Sequence, residues 1–194
     1  MNDIQLYFSL GWQHIIGWGA LDHILFITAL TAIYILKDWK KVLILITAFT
    51  IGHSLTLALS VYDVIRFSSK WVEFLIPCTI IATAIFNFFL KDFTNKSLRL
   101  NYFLALFFGL IHGMGFANSI RFMLAGGQKI ALPLLRFNIG LEAGQVMIVT
   151  IILLCSTLVI SFLKVPRKTW MLSLSIIAFT LALKIIVERI PLHY

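Results

Sequence analysis

Asp22-His23, His53, His112 and Glu142 stand inside stretches that otherwise read as lipid-soluble helix. An ionisable side chain in hydrocarbon is unfavourable by several kcal/mol unless it is paired or wetted, so this many in a chain of 194 residues imply a buried polar site. Imidazole and carboxylate are the usual ligands of divalent transition metals, nickel and zinc among them. The chemistry on offer is metal ligation within a membrane. His23, His53, His112, Asp22 and Glu142 are the candidate ligands, and His14 is a less favoured sixth.

The surrounding chain fixes the class. With 60% apolar residues, 12% charged residues and a mean hydropathy of +0.97, it lies outside the range of soluble domains. An all-α polytopic membrane bundle is expected, in contact with the lipid bilayer and without a second, soluble domain. The net charge of +8 does not indicate nucleic acid, because the Lys and Arg residues cluster between apolar spans and form no stripe. Cys78 and Cys155 lie inside apolar spans without a CxxC partner, so they read as buried structural residues. The start, MNDIQLYFSLGWQ, has no basic n-region and no clear cleavage site, so no signal peptide is expected.

Six spans are predicted, seven at most, over about 19–36, 42–61, 71–90, 102–124, 139–163 and 169–187. The segment 126–138, apolar but too short to cross, is expected to be re-entrant or interfacial. Lys37, Lys40, Lys41, Lys91, Lys96, Arg99, Lys164, Arg167 and Lys168 fall in the odd connectors, against Arg66, Lys70, Arg121, Lys129 and Arg136 in the even ones. The positive-inside bias then puts both termini outside. Trp12, Trp18, Trp39, Trp71 and Trp170 sit near span ends, as in interfacial belts.

On that topology Asp22, His23, His53, His112 and Glu142 all fall in the outer half of the bilayer, although they come from four spans of alternating direction. A common depth argues for one shared site. Thr47, Thr50 and His53 share a face by three-to-four spacing, as do Asn138, Glu142 and Gln145. Thr50, Asn138 and Gln145 are therefore expected to hydrogen-bond and orient ligands. The pairs Gly109/Gly113 and Gly140/Gly144 would let neighbouring backbones approach closely.

Plainer roles are open for several of these. Any one intramembrane histidine can be a hydrogen-bonded packing residue, Asp22 can be a helix N-cap or can orient an imidazole, and His14 can be interfacial. Asn87 is expected to bond between helices, Asp63 and Glu73 to be solvated near span ends, and His193, in the tail, to carry no role.

Four blocks carry a resemblance: His14-x-x-Gly17-x-x-x-Leu21-Asp22-His23-x-Leu25-Phe26, Thr47-Ala48-Phe49-Thr50-x-Gly52-His53-Ser54-x-Thr56-Leu57, Phe108-Gly109-Leu110-Ile111-His112-Gly113-x-Gly115-Phe116-Ala117, and Phe137-Asn138-x-Gly140-x-Glu142-x-Gly144-Gln145. In this order, over about 15–145, they resemble the HupE/UreJ family of bacterial membrane proteins, in its broader branch. The resemblance implies a multi-pass protein of the bacterial inner membrane whose relatives accompany nickel enzymes and act as nickel permeases. Asp22, His23, His53, His112 and Glu142 would be its metal-handling residues.

Three functions fit these features. The first is uptake of a divalent metal, nickel or another transition metal, by a protein that can assemble as a homo-oligomer. The second is a membrane-embedded zinc hydrolase acting on a lipid-like substrate, with Asp22, Ser54 or Glu142 as base or oxyanion partner. The third is a non-catalytic metal-binding membrane protein. A carrier needs a polar continuation below the site, whereas an enzyme needs a sealed floor, and the opposite halves of the spans are almost wholly apolar.

Overall fold

The computed structural model describes residues 3–17, 19–90, 95–116 and 131–191. Trp18, Lys91, Arg121, Lys129 and His193 lie outside the described residues. Among the described residues seven helices follow one another: α1 (Asp3–Ile16), α2 (Leu21–Thr31), α3 (Trp39–Val61), α4 (Ser69–Phe89), α5 (Asn95–Gly115), α6 (Ala131–Thr157) and α7 (Arg167–Glu188). A 3₁₀ turn, Leu36–Asp38, leads into α3, and a π turn, Leu158–Phe162, ends α6. There is no strand among the described residues. Helices are the expected outcome for such apolar runs, because lipid offers no partner to a free backbone N–H or C=O.

Leu36–Val61, Ser69–Phe89, Ala131–Phe162 and Arg167–Glu188 are each long and apolar enough to cross a membrane. α1 and α2 supply a fifth crossing if taken together, bent by 66° at their junction, and the apolar part of α5, Leu100–Gly115, is shorter. The first apolar stretch, read from sequence as 19–36, is thus built differently. α2 already ends at Thr31, and the lead-in upstream is helical. The interruption falls at Gly17 and Gly19, where poor helix propensity makes a break cheap.

The segment 126–138 is described only from Ala131, and from there it forms the first two turns of α6 and no separate piece. Pro133 fits because a first-turn N–H has no helical partner to lose.

Three helix pairs pack most extensively: α3 on α5, α1 on α6, and α4 on α7. Two of the seams are made by glycine. A Cβ on Gly52 would collide with the Leu106 carbonyl, one on Gly109 with that of Phe49, and one on Gly113 with that of His53. Gly11 and Gly140 play the same part between α1 and α6, facing the carbonyls of Phe137 and Phe8. Dispersion between closely approaching backbones drives association where lipid removes the hydrophobic gain.

The α4–α7 seam carries buried Ala84, Ala178 and Ala182. There Asn87 donates to the Ala29 carbonyl (2.7 Å) and to Ser175 Oγ (2.9 Å), the inter-helix role expected of it. α2 runs among the pairs, touching α4, α7 and α6, and Asp22, His23, Leu25, Phe26, Ala29, Leu30 and Thr31 are all buried.

At the end of α2, Arg167 donates to the Ile33 carbonyl and pairs with Asp38 at 3.3 Å. Asp38 also meets Lys41 at 3.0 Å, which ties down the side that carries the basic connectors. One expectation is corrected here: Cys78 is only half-buried and Cys155 is exposed, both as free thiols. In a bundle this small many positions of each helix face outward, so an apolar span does not imply a buried cysteine.

Candidate metal centre

The break between α1 and α2 is where the histidines meet. His14 is in the last turn of α1, whose unsatisfied carbonyls give that end a partial negative charge favourable to a cation. His23 is in the first turn of α2, on the far side of the break. Interrupted helices are a recurring way of placing ion sites inside membranes. His53 comes from α3 and His112 from the last turn of α5, held against it by Gly113.

One ring nitrogen from each of His14, His23 and His53 can be chosen so that all three lie within 4.8 Å of one another. Their ring centroids are 4.6 Å apart for His14–His23, 5.8 Å for His14–His53 and 6.4 Å for His23–His53. His112 sits beside the trio, 5.0 Å from His23.

Hydrogen bonding decides which nitrogens are free. His23 Nδ1 meets Asp22 Oδ1 at 3.0 Å, and an ionised carboxylate can only accept, so the ring proton is on Nδ1 and Nε2 carries the lone pair. This carboxylate–imidazole arrangement fixes the tautomer of metal-binding histidines. Thr79 donates its hydroxyl proton to the Ile76 carbonyl (2.6 Å) and so accepts from His112 Nε2 (3.0 Å), leaving the lone pair on Nδ1. His23 Nε2, His112 Nδ1, His14 Nε2 and both nitrogens of His53 are buried without a partner. Buried polar atoms are rarely left orphaned, and a cluster of orphaned imidazole nitrogens is what a metal would satisfy.

Asp22 spans two neighbours, with Oδ1 on His23 and Oδ2 at 3.3 Å from Arg189 Nη1. Its N-cap reading is corrected: Asp22 is inside α2 and accepts from the His23 N–H (2.9 Å), and Ala20 occupies the cap without a side-chain bond. His14, Asp22, His23 and His112 open onto a cavity of about 450 Å³, also lined by Gln13, Glu73, Phe116 and Arg189. Pro77 removes the N–H that would bond the Glu73 carbonyl, loosening α4 beside this cavity.

The opposite side of the cluster is closed by aromatic rings. Phe26 is 5.0 Å from Phe49 and 5.9 Å from Phe108, and both Phe26 and Phe49 pack on His112, at 5.1 and 5.2 Å. All three phenylalanines are buried.

The residues singled out by sequence divide into two groups. Asp22, His14, His23, His53 and His112 are brought together. Glu142 is half-buried elsewhere and accepts from Thr47 Oγ1 at 2.8 Å. Thr50 donates to Gln145 Oε1 at 2.9 Å, within α3 and α6, and Asn138 keeps a buried Oδ1 without a partner. Ser54 is half-buried and not part of the cavity wall.

Thr79 and Arg189 were not foreseen. The only sequence trace of Thr79 is the Thr79/Thr83 spacing on α4, and Arg189 falls in the tail beyond the last span. Replacing Thr79 by Val frees the His112 ring. Metal affinity is expected to fall about 10–100-fold, as for other groups that orient a ligand, in equilibrium dialysis of the purified protein.

A family model described as HupE / UreJ protein matches residues 1–189. The chain belongs to the HupE/UreJ family. The match extends through α7, which the sequence blocks did not reach, and includes Arg189. No curated protein and no solved structure matches this HupE/UreJ chain. The apolar helices and the family together make it a multi-pass membrane protein, with a histidine cluster of metal-ligating type at the break between α1 and α2.

Proposed function

We propose that this protein takes up a divalent transition metal, nickel by preference, binding it on His14, His23 and His53 with His112 and Asp22 in support. The observation that carries this reading is the convergence of orphaned, buried imidazole nitrogens at a helix break that opens to a cavity. A nitrogen-rich set suits nickel and zinc over calcium or magnesium, and the family resemblance favours nickel. The cavity lies on the side of the 62–68 connector and the C-terminal tail, away from Lys37, Lys40, Lys41 and Lys168. The positive-inside bias therefore supports an outward-facing cavity in the bacterial inner membrane, with both termini outside.

Capture is then a replacement of waters by imidazoles, and inward passage requires the Phe26, Phe49 and Phe108 rings to part. The Thr50–Gln145 pair, one turn beyond His53 on the side away from the cavity, offers oxygen donors next. Such oxygens hold a borderline metal more loosely than nitrogen does, which favours release. Vesicles containing the protein are expected to accumulate radioactive nickel several-fold above empty vesicles, and His53→Ala vesicles to match the empty ones. Equal accumulation with and without the wild-type protein would sink the uptake reading.

The aromatic floor favours a second reading, a metallohydrolase with three imidazoles and an open metal position. Its weakness is the base. Ser54 and Glu142 stand away from the cavity, and Asp22 is already engaged by His23 and Arg189. Tightly held zinc in protein that accumulates no nickel would move the assignment to this hydrolase.

A further inference from the structure

We propose that the cargo enters as a chelate, a divalent metal already held by a small di- or tricarboxylate, with Arg189 receiving the chelator's carboxylate. This rests on the metal-site reading above and names the form of its substrate.

Three observations carry it. The first is charge. Arg189 lines the same cavity as the histidines and stands 3.3 Å from Asp22, which is itself bonded to His23. Asp22 and Glu73 offset the guanidinium overall, and it remains a cationic group of the cavity wall to which an anionic complex can bring a carboxylate. The second is hydrogen-bonding capacity. Among the described residues Arg189 makes one side-chain hydrogen bond, to Asp22, so most of its five N–H donors are uncommitted, and its planar fork matches a carboxylate.

The third is room. An ion with six waters at about 30 Å³ each needs on the order of 200 Å³, whereas the cavity holds about 450 Å³. Three imidazole nitrogens would fill half of a six-coordinate shell and leave three positions for a chelator's oxygens. No bond other than metal–ligand bonds forms or breaks: waters leave the metal as imidazoles enter, and the chelator stays on.

The test is equilibrium dialysis of the full chain in detergent, with radioactive nickel alone, with nickel plus isotopically labelled citrate, and with citrate alone. Citrate is expected to be retained only when nickel is present. Arg189→Gln is expected to weaken retention of the nickel–citrate complex by roughly tenfold or more, the loss of one charge-assisted contact. The same variant should bind nickel alone at least as well as wild type.

Citrate that strips nickel from the wild-type protein overturns the proposal. So does an Arg189→Gln variant weakened equally toward nickel alone, which would make the arginine a structural partner of Asp22. If no nickel is retained with or without citrate, the metal site itself is refuted and this proposal with it.

Discussion

His53→Leu is expected to give a protein that is more stable without metal than the wild type and no longer responds to metal. The His53 imidazole is 0% exposed and neither ring nitrogen has a partner. An orphaned buried polar group of this kind destabilises the fold by about 1–3 kcal/mol. Leucine fills much of the same space without that penalty, among Phe49 and Phe137, whose rings lie 6.1 and 6.5 Å from the imidazole. The metal-free variant should therefore melt several degrees higher in a detergent thermal-shift assay. Saturating nickel raises the midpoint of a protein whose native state alone binds it; it should do so for wild type and leave His53→Leu unmoved. A variant that melts lower and is still protected by nickel would show that His53 is a packing residue.

Gly113→Ala is expected to damage the fold and the metal site together. The added Cβ would lie inside contact distance of the His53 carbonyl and of Thr56 Oγ1, whose bond to the Leu110 carbonyl at 2.8 Å would be disturbed. Backbone atoms cannot turn aside as a side chain can, so α3 and α5 must separate. Overpacking of this kind is unfavourable by about 1–3 kcal/mol or more. Separation also moves His53 and His112 apart, so metal binding should fall together with folded yield. Gly19→Ala is the control, since nothing lies within 4 Å of a Cβ there. Gly19 lines the cavity, so the comparison is of folded yield, and equal yields for the two variants would refute the seam.

Much of this architecture was legible in the chain. Apolar run lengths gave the crossing helices, because lipid leaves the backbone no other option, and the Gly109/Gly113 and Gly140/Gly144 spacings marked two of the helix seams. Depth arithmetic brought His23, His53 and His112 to one level. It could not supply rotation about the helix axis. Phe137 of α6 packs on His14 and His53, at 5.7 and 6.5 Å; Glu142, five residues on, is turned by about 140° and lies about 7.5 Å further along the axis, so its expected common depth is corrected and it meets Thr47 instead. His14 was undervalued because Gly17 and Gly19 disguise α1 as a lead-in. Arg189 was invisible because its partner, Asp22, lies near the other end of the sequence, and charge pairing at such separation leaves no periodic trace.

The three histidines of the trio come from differently packed helices. His14 is on α1, which packs mainly on α6, His53 on α3, which packs mainly on α5, and His23 on α2, which runs among the pairs. An ion among them would be a further clasp across the helix pairs, beside the Thr47–Glu142 and Thr50–Gln145 bonds that already join α3 to α6. Filling the site should quiet the relative sliding of those parts, and emptying it should restore that freedom. The ion would then govern the mobility of the membrane domain that carries it.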